Sequence, residues 1–395
     1  MLIAGEASGD LLAAELIGAL RQKVLASPSA LTSDVQPRQT ALAPRFIGAG
    51  GPNMAATGAE LAFDLTQHSV IGLAEVLKHY LTYRRLFLQL LKLAIERQPD
   101  VIIGVDYGGF NLRFGRAIKR WVRAHHGQFN NWDPKLVQFV SPQVWASRSE
   151  RAQTLADNYD LVLSIFPFER DWYARRVPKL RVEFVGHPMV ERLGRASGGS
   201  PSADSHQPTV LLLPGSRESE VRRHWPVVVG VFDLLRRDMP ELRAKLIVPN
   251  ETLAQTVKAL SVPSGLEIQV GGIPAALREA DLAITKSGTI TMECAMFGVP
   301  AVVFYKTSWP TYLIGKQLLT VKYIAMPNLL AGEEILPEFI QAAATPANIA
   351  RAALALLRDR TRRQSVKAKL ATVVASLGGA GATERAAAAI VSLLR

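Results

Sequence analysis

The sequence predicts an α/β fold of two doubly wound domains, each an open parallel sheet with helices on both faces. Three observations predict it. Short apolar, β-branched runs alternate with amphipathic stretches almost from end to end, and nearly continuous apolarity is what strands buried on both faces require. At 395 residues the chain exceeds what a single core usually fills. The runs also fall into two series, separated by GRASGGSPSADSHQP (194–208), which is rich in Gly, Ser and Pro and has no apolar period.

The first series is MLIA (1–4), RFIGAG (45–50), DVIIGVD (100–106), LVQFV (136–140), LVLSI (161–165) and VEFVG (182–186). Amphipathic segments such as LLAAELIGALRQ (11–22) lie between them, and the Pro/Ser/Thr-rich stretch 28–44 reads as a surface loop. The second series is TVLLL (209–213), AKLIVP (244–249), LEIQV (266–270), DLAIT (281–285) and PAVVF (300–304). The expected division is a first domain over 1–193, a linker over 194–208 and a second domain over 209–365. A C-terminal helical segment, 366–395, can pack back on the first domain.

Composition narrows the function. Hydrophobic residues make up 48% and charged ones 20%, with a formal net charge of +12, which points to an anionic partner. The basic residues are scattered in pairs such as Arg84–Arg85 and Arg222–Arg223, with no basic run interleaved with aromatics, so nucleic acid is not the expected partner. The single cysteine, Cys294, excludes an internal disulfide and fits a reducing compartment. No His or Cys spacing suits a metal, no apolar run is long enough to span a bilayer, and no export signal opens the chain, although it starts abruptly on its first strand.

In doubly wound domains ligands bind beyond the carboxyl ends of the strands, so the turns there carry the chemistry. GEASGD (5–10) joins a strand to a helix: Gly5, Ser8 and Gly9 allow close approach, and the helix start offers amides to an anion, or Ser8 or Asp10 simply caps it. It is not the dinucleotide glycine fingerprint. GVDYGGFN (104–111) sets Asp106 at the mouth of an apolar strand. Desolvation there raises a carboxyl pKa, which suits a general base; the alternative is a helix cap. LLPGSRESEV (212–221) follows a strand with Gly215, Ser216 and Arg217, whose guanidinium can bind a phosphate in bidentate fashion. KSGTITMECAMFGVP (286–300) places Ser287, Gly288 and Thr289 at a helix start and Glu293 one turn on, within reach of a sugar diol. Together these favour a nucleotide diphosphate site. His187 reads as a structural hydrogen-bonder.

The segment 72–98 carries an apolar stripe of Leu73, Leu77, Tyr80, Phe87, Leu91 and Ala94 suited to a core. A second row of Leu81, Leu88 and Ile95 lies beside Lys78, Arg85 and Lys92. That pattern suits docking on an anionic bilayer, or a packed helix whose basic side chains snorkel.

With these motifs the chain resembles the lipid-A-disaccharide synthases from end to end. The resemblance is carried by GEASGD, IGLAEVLKH (71–79), GVDYGGFN, VSPQVWA (140–146), FPFE (166–169), VGHP (185–188), LLPGSR, KSGTITMECAMFGVP and PNLLAGEEILPEFIQ (327–341), in this order. It implies two Rossmann-like domains facing a cleft, the GT-B glycosyltransferase architecture, and an inverting transfer that needs no metal or other cofactor. A diacylglucosamine unit would pass from UDP-2,3-diacylglucosamine to the 6-hydroxyl of 2,3-diacylglucosamine 1-phosphate (lipid X). It further implies Asp106 as the base and Arg217 at the UDP phosphates. The donor site would also include Gly215, Ser216, Ser287, Gly288, Thr289, Glu293, Asn328, Glu338 and Gln341, and the acceptor side Ser8, Gly9 and Asn111. The location implied is cytoplasmic, peripheral on the inner membrane through Lys78, Leu81, Arg85, Leu88 and Lys92, as a monomer or homodimer. Two positions depart from the family pattern: Gly109, where many members have a second Asp, and Ser147, where an aromatic often follows the Trp-Ala pair.

Other readings differ in substrate or in turnover. One is another UDP-sugar transferase or an epimerase of the same fold; a UDP-GlcNAc epimerase would act on a soluble sugar and need no basic apolar helix over 72–98. A non-catalytic envelope-associated binding protein would have no need of Asp106, Arg217 and Glu293 together.

Overall fold

A computed structural model describes residues 1–26, 44–68, 80–127, 129–194 and 207–394. The chain forms two compact units, Met1–Pro188 with Gly378–Arg395, and Met189–Leu377.

The first unit is built on strands β1 (Leu2–Ala4), β2 (Ile47–Gly50), β3 (Glu60–Asp64), β4 (Val101–Val105), β5 (Lys135–Phe139), β6 (Leu161–Ser164) and β7 (Val182–Phe184). They lie in the order β3-β2-β1-β4-β5-β6-β7, and every pairing is parallel. β1 and β4 are neighbours, yet the chain leaves them in opposite directions across the sheet, so the crevice a ligand can enter opens beyond their carboxyl ends. The second unit repeats the plan with β8 (Thr209–Leu213), β9 (Arg243–Val248), β10 (Leu266–Val270), β11 (Leu282–Lys286), β12 (Ala301–Tyr305) and β13 (Glu338–Ile340). Its order is β10-β9-β8-β11-β12-β13, again wholly parallel, with the reversal between β8 and β11. The central strands are fully buried, as their apolar runs require.

Two strands escape the sequence pattern, β3 and β13. Both sit at a sheet edge, where one side of the ladder faces away from the core, so ELAFD and EFI carry charge among their apolar residues. The returning segment also starts later than residue 366. Val366, Leu370 and Val373 on helix Arg360–Ser376 are buried in the second unit's core, and the chain rejoins the first unit only at Gly378. Helix Ala382–Ser392 then packs on helix Ala7–Leu25, and Arg385 donates to the carbonyls of Val185, Gly379 and Ala380. Most of the expected linker (195–206) and of the 28–44 loop lies outside the described residues, as do the motif over 71–79 and Lys78.

Helix Tyr80–Arg97 buries Leu86, Leu90 and Ala94, with Phe87 and Leu91 partly covered. The expected stripe centred on Phe87, Leu91 and Ala94 is thus rotated by about one residue, while Leu73 and Leu77 lie outside the described residues. Leu81 and Leu88 stay exposed, at 76% and 50%.

Two of the resembling motifs, VSPQVWA and FPFE, meet in the first unit's core. The Trp145 indole donates to the Glu169 carboxylate at 2.9 Å, and Glu169, three residues into helix Pro167–Arg176, reaches back to accept the Phe166 amide at 3.2 Å, the acidic half of a capping box. Burial pushes the Glu169 carboxyl up to about 7 against the pull of these hydrogen bonds. Because the folded value lies above the ordinary one of 4.5, this group's contribution is complete below pH 4.5 and is lost as pH rises through about 7. Glu169→Gln is therefore expected to gain thermal stability relative to the parent between those limits. Parallel melting curves over the range check it, and a constant difference would refute it.

Candidate active site

The turn after β4 is strained. Asp106 and Tyr107 both adopt left-handed backbone conformations, with φ of 52° and 45°. Asp tolerates that region better than Tyr, and such residues persist only where their surroundings over-determine them. Here the surroundings are two buried amides. Asn111 Nδ2 and Gln138 Nε2 each donate to the Asp106 carbonyl at 2.9 Å, and the Asp106 amide donates to Phe139 O at 2.8 Å.

The glycines make room for this arrangement. A Cβ on Gly104 would stand 2.8 Å from both Asn111 Cγ and Gln138 Oε1, and one on Gly5 only 2.4 Å from the Tyr107 ring. Gly9 sits beside the turn, its would-be Cβ 3.7 Å from Asp106 Cβ. The close approach that these glycines permit is therefore, in the first place, that of the protein's own side chains. Gly109 differs: a Cβ there meets nothing within 4 Å, so the position is open.

The Asp106 carboxyl is half-buried. Desolvation raises its pKa, opposed by a hydrogen bond from the Tyr107 amide. It forms no ion pair among the described residues, whose salt bridges all involve other carboxylates. Ser8 is exposed in the first turn of its helix, whose start has no side-chain cap. Asn111 is 1% exposed, so the structure sets it beneath the turn, holding Asp106, and not on the open face. Asp10 caps no part of its own helix. Its carboxylate receives the amides of Gly51, Asn53 and Met54 and the Asn53 side chain, and so caps helix Pro52–Ala56. Tyr107 stacks on Phe110, which meets Phe87 edge-on at 5.4 Å, so the turn is packed against helix Tyr80–Arg97.

In the second unit, Glu220 organises the turn after β8. It accepts the Ser216 amide at 3.1 Å, pairs with Lys286 at 3.2 Å, and lies 3.6 Å from Arg217. Gly215, at φ 140°, is needed because a Cβ would stand 2.6 Å from Glu220 Oε2. Arg217 keeps about half its side chain exposed (47%), whereas Lys286 is largely covered at 17%. The Lys286 ammonium lies about 3.1 Å from where a Gly288 Cβ would be, over the turn after β11. Two cations held by one carboxylate thus face the crevice between β8 and β11. His224, fully buried, ties this turn to the next: Nδ1–H donates to Pro214 O at 2.6 Å and Nε2 accepts the Lys306 amide at 3.2 Å. Burial lowers the His224 pKa, keeping the ring neutral as that pair of bonds requires.

Ser287 Oγ donates to Ile324 O, and Thr289 is exposed at the uncapped start of helix Ile290–Met296. Glu293 is half-buried, and desolvation raises its pKa. The remaining expected donor residues form an internal brace. Asn328 is fully buried: it donates to Leu336 O and Glu338, and accepts the amides of Ile335 and Leu336. Glu338 also accepts the amides of Ile324 and Ala325, so it fixes the segment on which Ser287 leans. Gln341 clamps the Thr307 backbone through both ends of its amide.

Sequence reasoning missed Gln138, Glu220, His224 and Lys286. Lys286 and Glu220 had a signal, since one precedes the Ser-Gly-Thr turn and the other lies one helical turn after Arg217. Gln138, in the middle of an apolar strand, had none beyond its polarity.

Two Rossmann-like units, the first bearing the Asp106 turn and the second the cationic turn of Arg217 and Lys286, match the GT-B glycosyltransferase architecture. The chain belongs to the lipid-A-disaccharide synthase family, whose model, described as lipid-A-disaccharide synthetase, matches residues 1–391, and it is a glycosyltransferase of lipid A biosynthesis. The lipid-A-disaccharide synthase of Geobacter sulfurreducens is 34% identical over 402 residues, covering 100% of this chain and 97% of that one. That of Alkalilimnicola ehrlichii is 35% identical over 403 residues, covering 99% and 97%. Among solved structures, the glycotransferase of kitacinnamycin superposes with a TM-score of 0.61 at 19% identity, covering 100% of this chain and 98% of that one. The UDP-GlcNAc 2-epimerase of Neisseria meningitidis gives 0.59 at 10%, with 99% of each chain covered. These two likenesses concern the fold.

Proposed function

We propose that the chain joins UDP-2,3-diacylglucosamine to 2,3-diacylglucosamine 1-phosphate, giving the β-1,6-linked disaccharide 1-phosphate and UDP. Asp106 takes the proton of the acceptor 6-hydroxyl as its oxygen attacks the donor's anomeric carbon. The bond from that carbon to UDP breaks, the anomeric configuration inverts, and the electron pair passes to the diphosphate. Arg217 and Lys286 stabilise the charge that builds there. Glu293 is within the reach expected for the ribose diol, and Ser8 and Gly9 flank the acceptor. The observation that carries this reading is Asp106 itself: a half-buried carboxyl without a cation, its pKa raised, held on a strained turn at the switch point. The role of Asn328, Glu338 and Gln341 in this reading is to hold the donor turns in place from beneath.

The test is to incubate the purified protein with both diacylated glucosamines and follow the disaccharide by mass spectrometry. No product from folded protein would overturn the reading, and turnover of UDP-GlcNAc alone would favour an epimerase. Arg217→Ala is expected to weaken UDP binding by about 10- to 100-fold, the worth of a charge-assisted hydrogen bond pair, and to lower turnover. Calorimetric titration with UDP checks it.

Membrane association belongs to the same reading. No described helix is long and apolar enough to cross a bilayer. Leu81 and Leu88 line a shallow groove of about 340 Å³ with Arg84, Arg85, Gln89 and Lys92, which supports peripheral docking on the cytoplasmic face of the inner membrane. Reversing the charge of Lys78, Arg85 and Lys92 is expected to reduce sedimentation with anionic vesicles; unchanged sedimentation would count against it.

A further inference from the structure

A second exposed apolar surface lies on the other unit. Trp309, Leu313, Leu318 and Leu319 are 61, 57, 41 and 47% exposed. They belong to helix Trp309–Leu318 and the residue after it, just beyond the carboxyl end of β12. In a wholly parallel sheet that edge is also the one bearing the Arg217 and Ser287 turns.

The base of this helix is firmly held. His224 accepts the Lys306 amide, Gln341 clamps Thr307, and Ser308 caps the first turn. Its outer face is nonetheless left bare. At helical spacing Trp309, Tyr312, Leu313 and Lys316 share one face, and Trp309 meets Tyr312 edge-on at 5.7 Å. An amphipathic Trp–Tyr pair suits the boundary between headgroups and acyl chains. Charge points the same way: from Lys306 to Gly332 there is no Asp or Glu, while Lys306, Lys316 and Lys322 are present. A positively framed apolar face selects an anionic lipid surface over a neutral one.

We propose that helix Trp309–Leu318, with the Leu319–Tyr323 segment after it, is a bilayer-docking surface of the second unit for anionic phospholipid. It is distinct in the chain from helix Tyr80–Arg97, and it would bring the nucleotide-holding turns to the lipid. The docking stands on these residues; its use in receiving a donor's acyl chains rests on the function proposed above.

The test uses the full chain and vesicles of phosphatidylcholine with or without phosphatidylglycerol. Cys294 is fully buried, so an environment-sensitive dye on a Trp309→Cys variant reports that site alone. The expected result is a blue shift with the anionic vesicles and little with neutral ones. Lys316→Glu with Lys322→Glu, both on the surface, is expected to lower partitioning by about fivefold per lysine while leaving UDP affinity unchanged. Emission unmoved by either vesicle would overturn the proposal. So would a shift that appears without vesicles and follows protein concentration and light-scattering mass, since a second copy would then be the occupant. Failure to form disaccharide, with the dye shift intact, would remove the proposed reaction and leave the docking surface standing.

Discussion

Asp106→Asn is expected to lower turnover by about 10²- to 10⁴-fold, the usual worth of a general base, while UDP affinity stays within about twofold. Asn is the replacement to use, because it is as much at home as Asp in the left-handed conformation the turn imposes and removes only the charge. Two pH signatures accompany it. The parent's kcat/KM should fall on the acid side as the carboxyl takes up its proton, with a midpoint above the ordinary Asp value because burial raises it. Stability should move the other way. A carboxyl whose folded pKa is raised contributes fully below its unfolded pKa and loses that contribution as pH rises through the folded one. Asp106→Asn should therefore melt higher than the parent at neutral pH, with the gain vanishing in acid. An inactive variant without that gain would mean the turn itself had been disturbed; normal turnover by the variant would remove the base.

Gly104→Ala is expected to be the second most damaging change. Its methyl would stand 2.8 Å from Asn111 and Gln138, the two side chains whose amides hold the Asp106 carbonyl. Overpacking of this kind costs roughly 1–3 kcal/mol, and the amides can yield only by releasing the turn. Turnover should drop by about 10-fold or more, because a displacement near 1 Å at a catalytic group is costly, and KM for the donor should hardly change. Gly109→Ala, a few residues on, is the control. Nothing lies within 4 Å of that methyl, so activity and melting temperature should stay near the parent's. Equal losses in both variants would refute the steric account.

Most of the fold and half of the chemistry can be read from the residues in order. Apolar runs separated by amphipathic stretches require parallel sheets covered on both faces, and ligands in such sheets require the turns after β1, β4, β8 and β11 to be the sites. The placement of Asp106, Arg217 and Ser287 just after strand ends was therefore legible. Of the four edge strands, β7 and β10 were legible too, whereas β3 and β13 were not, because ELAFD and EFI set charge among few apolar residues.

The roles that only the tertiary structure decides belong to residues whose partners are remote in the chain. Asp10 looks like a cap for its own helix, yet it serves one that begins at Pro52. Asn111 looks like a ligand for substrate, yet together with Gln138 it restrains a carbonyl. Asn328 and Gln341, named by family pattern as donor residues, hydrogen-bond within the unit, to backbone and, for Asn328, to Glu338 as well. The physical reason is common to all of them. Periodicity and composition report burial, which is a property of each residue alone, whereas a buried polar group takes its meaning from the one partner that satisfies it.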